Sequence, residues 1–323
     1  MTHKKNLSVG IDIGGTTTKF GIVNAEGLIL EQDRIPTNEH EVATDFIDDL
    51  YAKLWPMIQR HGAREDYNGI GVGAPNGNFY SGTIEYAPNL KWKGIIPMAE
   101  LIEKKFDLPT KLTNDANAAA IGEMMYGVAK GMKHFITITL GTGVGSGIVI
   151  DGKIVLGHDG FAGELGHVIV KPGGRLHKGT GMRGSLESYA SATGVRETAI
   201  EFLTNEPDTP SLLRNYSTND LTSETVYNCA IQGDVIAHKI FEFTGEILGE
   251  ALANFVMFSS PEAIVLFGGL TKAGDLILKP TVRAMEANLL PIFQNKVKVI
   301  FSDLKEADAA ILGASALVWE SEH

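Results

Sequence analysis

The chain has 323 residues, 44% hydrophobic and 21% charged, with a formal net charge of −11 and no long basic run. That is the profile of a globular protein with room for two domains, and it argues against nucleic acid as a main partner, because phosphate backbones require clustered Lys and Arg. No apolar stretch approaches the roughly 18 residues that span a bilayer, the N-terminus lacks a signal-peptide pattern, and the single cysteine, Cys229, excludes an intrachain disulfide and a thiolate-rich metal site; a cytoplasmic protein with no membrane partner is expected.

In chain order the first third reads β-β-β-α-β-α-β. Strands are expected at 7–13, 18–23 and 28–35. A helix over about 42–60 follows from the spacing of Phe46, Leu50, Leu54 and Met57. A buried strand at 70–72 ends in the turn residues Gly73-Ala-Pro75-Asn76-Gly77, and a long loop runs to Trp92. A helix at 98–106 and a short strand at 111–112 close this part. From Asp115 the pattern starts again: a helix to about 129, then hairpin strands at 135–140 and 148–150 around a second glycine turn. A polar, glycine-rich stretch runs over 157–184. Helices are expected at 185–203 and 234–258, strands at 264–267 and 297–301, and a last helix at 307–319. Each half opens with a strand, a Gly/Thr turn and a strand, so the chain reads as two α/β lobes around a cleft, with the last helix returning to the first lobe. The expected division is 1–115 with 304–323 against 116–303.

Two turns carry the chemistry. Asp12-Ile-Gly14-Gly15-Thr16-Thr17-Thr18-Lys19 and Leu140-Gly141-Thr142-Gly143-Val144-Gly145-Ser146-Gly147 both lie between apolar strands. Gly permits close approach of backbone to ligand, and the N–H groups and hydroxyls of such turns face an anion well. The first would hold β- and γ-phosphates, with Asp12 orienting Mg²⁺ through water. The second lacks the G-x-G-x-x-G spacing and the Gly-Lys-Ser/Thr of a Walker loop, and reads as a phosphate or ribose clamp or as a tight hairpin. Asp115 could be a general base toward a hydroxyl and Asn114 could hold neighbouring hydroxyls, but Asn-Asp at a helix start is also an ordinary N-cap. Glu164, His167 and Glu187, short polar residues among glycines, suit a sugar pocket; a structural His and a helix-start Glu are the plain alternatives. Asn89 is either a ligand or a turn former. Gly268-Gly269 after a buried strand would let an adenine lie on the backbone, or would simply turn the chain.

Taken together, Asp12-Ile-Gly-Gly-Thr16, Tyr86-Ala-Pro-Asn89, Asn114-Asp-Ala-Asn-Ala-Ala-Ala120 with Gly122-Glu123, Leu140-Gly-Thr-Gly-Val-Gly145, Gly163-Glu-Leu-Gly-His167, Leu186-Glu187 and Phe267-Gly-Gly269 resemble the ROK family of sugar kinases and repressors, in the actin/hexokinase superfamily. The resemblance covers nearly the whole chain. It implies an α/β fold of two actin-like (ribonuclease H-like) lobes flanking an active-site cleft, a homodimer, and transfer of the γ-phosphate of ATP to a hexose with Mg²⁺. Glucose is the first-choice acceptor, giving glucose 6-phosphate; N-acetylmannosamine, N-acetylglucosamine, fructose and allose are the alternatives. Asp115 matches the catalytic base. Asn89, Asn114, Glu164, His167 and Glu187 match sugar ligands. Gly14, Gly15, Thr16, Gly141, Thr142 and Gly143 match the phosphate side, with Thr17 and Lys19 of the first turn counted with them, and Gly268 and Gly269 the adenosine side. The family's repressors carry a helix-turn-helix ahead of the first turn; here six residues precede the first expected strand, so a non-catalytic sensor or regulator is the minor reading. One departure stands out. Many members have a zinc motif C-x-C-G-x-x-G-C-x-E; counted back from Glu187, its thiolate positions hold Ser185, Thr180 and Lys178. His167 and His177 do not make up four ligands. No structural zinc is expected, and backbone bonding among the glycines is expected to order that loop.

Overall fold

The computed structural model describes residues 5–319. In chain order these form β1 (Leu7–Ile13), β2 (Thr17–Asn24), β3 (Ile29–Pro36), α1 (Ala43–His61), β4 (Tyr67–Ala74), β5 (Gly77–Asn78), β6 (Thr83–Glu85), β7 (Ile95–Ile96), α2 (Met98–Phe106), β8 (Thr110–Asn114) and α3 (Asp115–Tyr126). Then follow β9 (Phe135–Leu140), β10 (Val144–Ile150), β11 (Lys153–Ile154), α4 (Glu187–Ala190), α5 (Ala192–Asn205), α6 (Ser223–Ala230), α7 (Val235–Ser259), β12 (Ala263–Phe267), α8 (Asp275–Ala287), β13 (Lys298–Phe301) and α9 (Glu306–Ala316). The described chain divides into two compact units, one of 5–133, 147–163 and 302–319, the other of His134–Ser146 and Glu164–Phe301.

The same sheet is built twice. One has the order β3-β2-β1-β4-β8 and the other β11-β10-β9-β12-β13. In the first, β1–β2–β3 is an antiparallel meander, and β4 and β8 add in parallel. In the second, β10–β11 is antiparallel, and β12 pairs in parallel with β9 and β13. Parallel strands need a helix on each crossover, which is why helices punctuate the chain after β4 and again after β9. This repeated meander-plus-parallel sheet is the α/β lobe expected of the actin-like fold, without a sequence repeat to announce it.

In the first unit, Val9, Ile11 and Ile13 of β1 pack with Phe46, Leu50 and Leu54 of α1 and Ile102 and Phe106 of α2. Their alternation leaves Ser8, Gly10 and Asp12 on the opposite face. There α9 lies flat on the strands. A Cβ on Gly10 would run into the carbonyl of Ile311, and one on Gly71 into that of Ala314. Glycine at these two positions is therefore what lets the helix backbone approach the sheet. Glycine does the same between α3 and α9, where Gly122 faces Gly313. In the second unit α7 is the long core helix. Gly245 meets Pro280 and Gly249 meets Thr281 and Ala284, so small residues seat α8 against it.

Four local expectations need correction. The segment before Trp92 is not a plain loop: β5 pairs with β6, and β6 pairs beyond it with β7. The second glycine turn is shorter than expected, because β10 begins at Val144. Gly147 is a strand residue whose Cβ would overlap Ala116 O at 3.0 Å, so it is there for close packing on α3. The helix over 185–203 is two helices, broken at Ser191, whose hydroxyl caps α5 by accepting from Gly194 N at 2.9 Å. Finally, α6 and α8 were not foreseen.

Candidate active site

On the first unit, β1 ends at the turn. Asp12 lies opposite Lys19 on β2 and beside Gly73 on β4. The turn closes through Gly14 N donating to Thr17 O at 3.2 Å. A Cβ on Gly15 would meet Asn89 O at 2.8 Å and the Asn89 side chain at 3.2 Å. The structure thus brings Asn89, far away in sequence, against the first glycine turn. Thr16 and Asn89 are exposed and Gly14, Thr17 and Lys19 half-buried.

Asp115 opens α3. Asn114 is the N-cap, its Oδ1 accepting from Asn117 N at 2.6 Å, so the capping alternative is realised and the Asn114 amide nitrogen remains for a ligand. Asp115 Oδ1 accepts from Ala116 N at 2.9 Å. The residue keeps exposed surface, yet the protein crowding its carboxyl raises its pKa, burial outweighing the backbone N–H groups of Ala116 and Asp115 that act the other way. Asp12 is pushed up to about 6, by burial first, then by the charge of Asp115, with Lys19 opposing. The charge of Asp115 thus adds to burial in holding Asp12 protonated. Gly73 is the residue that the motifs missed here. A Cβ at Gly73 would stand 3.8 Å from Asp115 Cα and 3.9 Å from Asp12 Oδ1, so glycine keeps the space between the two acids open. Its place at the strand-ending Gly-Ala-Pro turn was the available signal.

This pair fits a divalent cation. The Asp12 carboxyl is buried beside Asp115, whose charge disfavours its own, and one ammonium stands nearby. Hard cations bound through water and a carboxylate seek such an oxygen-rich, underneutralised pocket.

On the second unit, the turn between β9 and β10 closes through Gly141 N to Gly143 O at 3.0 Å. It is clamped from α5, where Thr193 Oγ1 donates to Thr142 O at 3.0 Å and Ala192 N to Gly141 O at 2.8 Å. Gly268, at φ +103°, lies on the backbone of Leu140, where a Cβ would come within 2.7 Å of its carbonyl. The Gly268-Gly269 turn and the second glycine turn are therefore neighbours. Val144 is the hub of the residues expected on the sugar side. Its N–H donates to Glu187 Oε2 at 2.7 Å, and Gly166 presses on its carbonyl so closely that no Cβ would fit. Gly166 lies in the single turn Leu165–His167, fixed by Leu165 N donating to Ser146 Oγ at 3.1 Å. Glu164 and His167 flank that turn, with 3.7 Å between Oε2 and Nε2. His167 Nδ1 is buried without a partner.

Glu187 is not the bare ligand that its motif implies. Besides Val144, its Oε1 meets His177 Nε2 at 2.9 Å. The loop before it is ordered by more than backbone bonding among glycines. Short bridges pair Ile169 with Ser185 and Leu176 with Arg183. Arg175 reaches Glu201, Ser188 O, Gly194 O and Thr198 and lies 4.6 Å over the Tyr189 ring. Of the three positions that hold thiolates in many family members, Ser185 bonds Ser188 at 2.8 Å and Thr180 bonds His177 Nδ1 at 2.9 Å.

Comparison with known proteins identifies the family. The chain is 37% identical over 320 residues to the glucokinase of Halalkalibacterium halodurans, covering 98% of this chain and 96% of that one. It is 26% identical to the xylose repressor of Bacillus spizizenii, covering 98% of this chain and 78% of that one. The crystal structure of a ROK family glucokinase from Streptomyces griseus in complex with glucose and AMPPNP superimposes with a TM-score of 0.79 at 31% identity, over 96% of this chain and 98% of that one. With the ROK family model matching residues 8–321, the chain belongs to the ROK family.

Proposed function

We propose that this chain is an ATP- and Mg²⁺-dependent hexose kinase with glucose as its acceptor. The observation that carries the reading is the acid pair: Asp115, at the start of α3 with a raised pKa, beside Asp12 at the end of β1. A base near neutral working pH needs a carboxylate more basic than an ordinary Asp, and crowding supplies that. Asp115 would take the proton from the attacking hydroxyl. Asn89, Asn114, Glu164, His167 and Glu187 would accept and donate to the sugar hydroxyls, and Gly14, Gly15, Thr16, Thr17 and Lys19 with Gly141, Thr142 and Gly143 would face the phosphates. Gly268 and Gly269 would take the adenosine side. Asp12 would hold Mg²⁺, which when bound would offset the negative charge of the phosphates. Positioning and electrostatics then supply most of the rate, as in phosphoryl transfer generally. Support comes from the family, from the similar glucokinases and from the solved relative that binds glucose and AMPPNP. A cytoplasmic homodimer is the accompanying reading, checked by gel filtration.

The test is ADP release with ATP and Mg²⁺ against glucose, fructose, mannose, hexosamines and N-acetyl hexosamines. Turnover on glucose with a KM below about 1 mM supports the proposal. Turnover confined to an N-acetyl sugar keeps Asp115 and moves the specificity. No turnover on any sugar, with sugar binding retained, favours a sensor, the role that the similarity to a repressor keeps open.

A further inference from the structure

Glu187 is held by two donors at once. Val144 N–H points at Oε2 and His177 Nε2 at Oε1. The carboxylate fixes the tautomer: its oxygens only accept, so Nε2 carries the N–H that donates to Glu187 and, in the neutral ring, Nδ1 is left as an acceptor. Thr180 Oγ1 lies 2.9 Å from Nδ1 and also accepts from Met182 N at 3.3 Å. Its O–H therefore donates to Nδ1. The chain of donation runs in one direction: Met182 N–H to Thr180, Thr180 O–H to His177 and His177 N–H to the carboxylate. Each carboxylate oxygen has one partner and keeps a second acceptor direction for a ligand hydroxyl. The main chain that carries the imidazole is held as well, His177 N donating to Met182 O at 2.8 Å and Gly181 N to His177 O at 2.8 Å.

We propose that His177 is a positioning residue for the acceptor sugar. It holds Glu187 in the rotamer that receives the sugar hydroxyls, and Thr180 locks the imidazole that does so. Thr180 stands at a position where many family members place a thiolate, so this chain orders the loop by a directed hydrogen-bond relay. The inference rests on the proposed role of Glu187 as a sugar ligand. It goes beyond that role in assigning a function to two residues that do not touch the sugar.

The experiment measures kcat and the KM values for glucose and for ATP in His177→Phe, His177→Gln, His177→Asn, Glu187→Gln and the double variant His177→Phe/Glu187→Gln. Losing one charge-assisted hydrogen bond is expected to raise the glucose KM of His177→Phe about ten- to a hundredfold, with the ATP KM within about twofold. The amide nitrogen of Gln falls near the place of Nε2 and that of Asn near Nδ1, so His177→Gln recovers most of the affinity and His177→Asn does not. In the Glu187→Gln background the His177→Phe change adds little. If Glu187→Gln raises the glucose KM while His177→Phe does not, the positioning role is overturned and the sugar site stands. If Glu187→Gln leaves the glucose KM unchanged, Glu187 is not a sugar ligand and both readings fall. An equal loss in glucose and ATP parameters for His177→Phe marks a merely structural residue and overturns the proposal. Should His177→Phe not fold, Thr180→Val keeps the imidazole and removes its lock; a selective rise in glucose KM supports the relay, and an unchanged value overturns it.

Discussion

The carboxylates of the two units are treated in opposite ways. On the first unit, Asp12 and Asp115 face each other with few donors, and both are harder to ionise than an ordinary Asp. On the second, Glu187 has a donor on each oxygen. A carboxylate left short of partners stores electrostatic free energy that a cation or a reacting proton can release. A carboxylate supplied with donors gives that up and gains a fixed direction. The contrast suits the proposed roles, in which one group reacts and the other holds.

The largest effect that would break this comparison lies at Asp115. Asp115→Asn keeps shape and removes basicity, and general-base loss is expected to lower kcat about 10²–10⁴-fold while glucose binding by calorimetry persists. Activity of the unaltered chain is also expected to fall on the acid side at a pH above the ordinary carboxylate range, because burial raises the pKa of the base that must be ionised. A variant within tenfold of normal turnover would remove Asp115 as the base.

Next in size is a stability effect at Asp12. Its folded value, about 6, stands above the usual 3.8. Between those two pH values the folded chain holds a proton that the unfolded chain has released. Stability without ligands therefore falls as pH rises through that window, and the penalty is fully present above it. Asp12→Asn is expected to stabilise the ligand-free chain by about 1–3 kcal/mol at pH 7 and to bring no gain below pH 4, while turnover is lost. Denaturant melts at pH 4 and pH 7 check the sign; equal destabilisation at both would show that Asp12 is supported after all.

Much of this was legible because periodicity and turn chemistry agree. The bounds of β1 and α2 follow from their apolar spacing; Asp12 and Asp115 stand out only through the company of the glycine turns, because Asn-Asp at a helix start is by itself an ordinary cap. What was hidden has physical reasons. Strands of two or three residues such as β5 and β7 are too short to show a period. Pro280 inside α8 reads as a breaker, although it packs on Gly245 of α7. Gly143, Gly147 and Gly166 all read as turn residues, but their neighbours show that they are spacers for contacts far off in sequence. The relay through His177 could not be read from spacing, since a lone His near a metal-like motif invites only the question of whether a metal is bound.

The smallest effects separate the two glycines of the second turn. A Cβ on Gly143 would overlap Glu187 Oε2. That carboxylate cannot swing aside without giving up Val144 or His177. Gly143→Ala is therefore expected to destabilise the chain by about 1–2 kcal/mol, an overpacking effect, and to raise the glucose KM. Two residues earlier, a Cβ on Gly141 meets nothing within 4 Å. Gly141→Ala is expected to leave stability within about 0.5 kcal/mol, so any change in kinetics there reports on what approaches from outside. A rise in the ATP KM with the glucose KM unchanged would place phosphate over Gly141. A rise in the glucose KM alone would instead tie this turn, like Gly143, to the holding carboxylate.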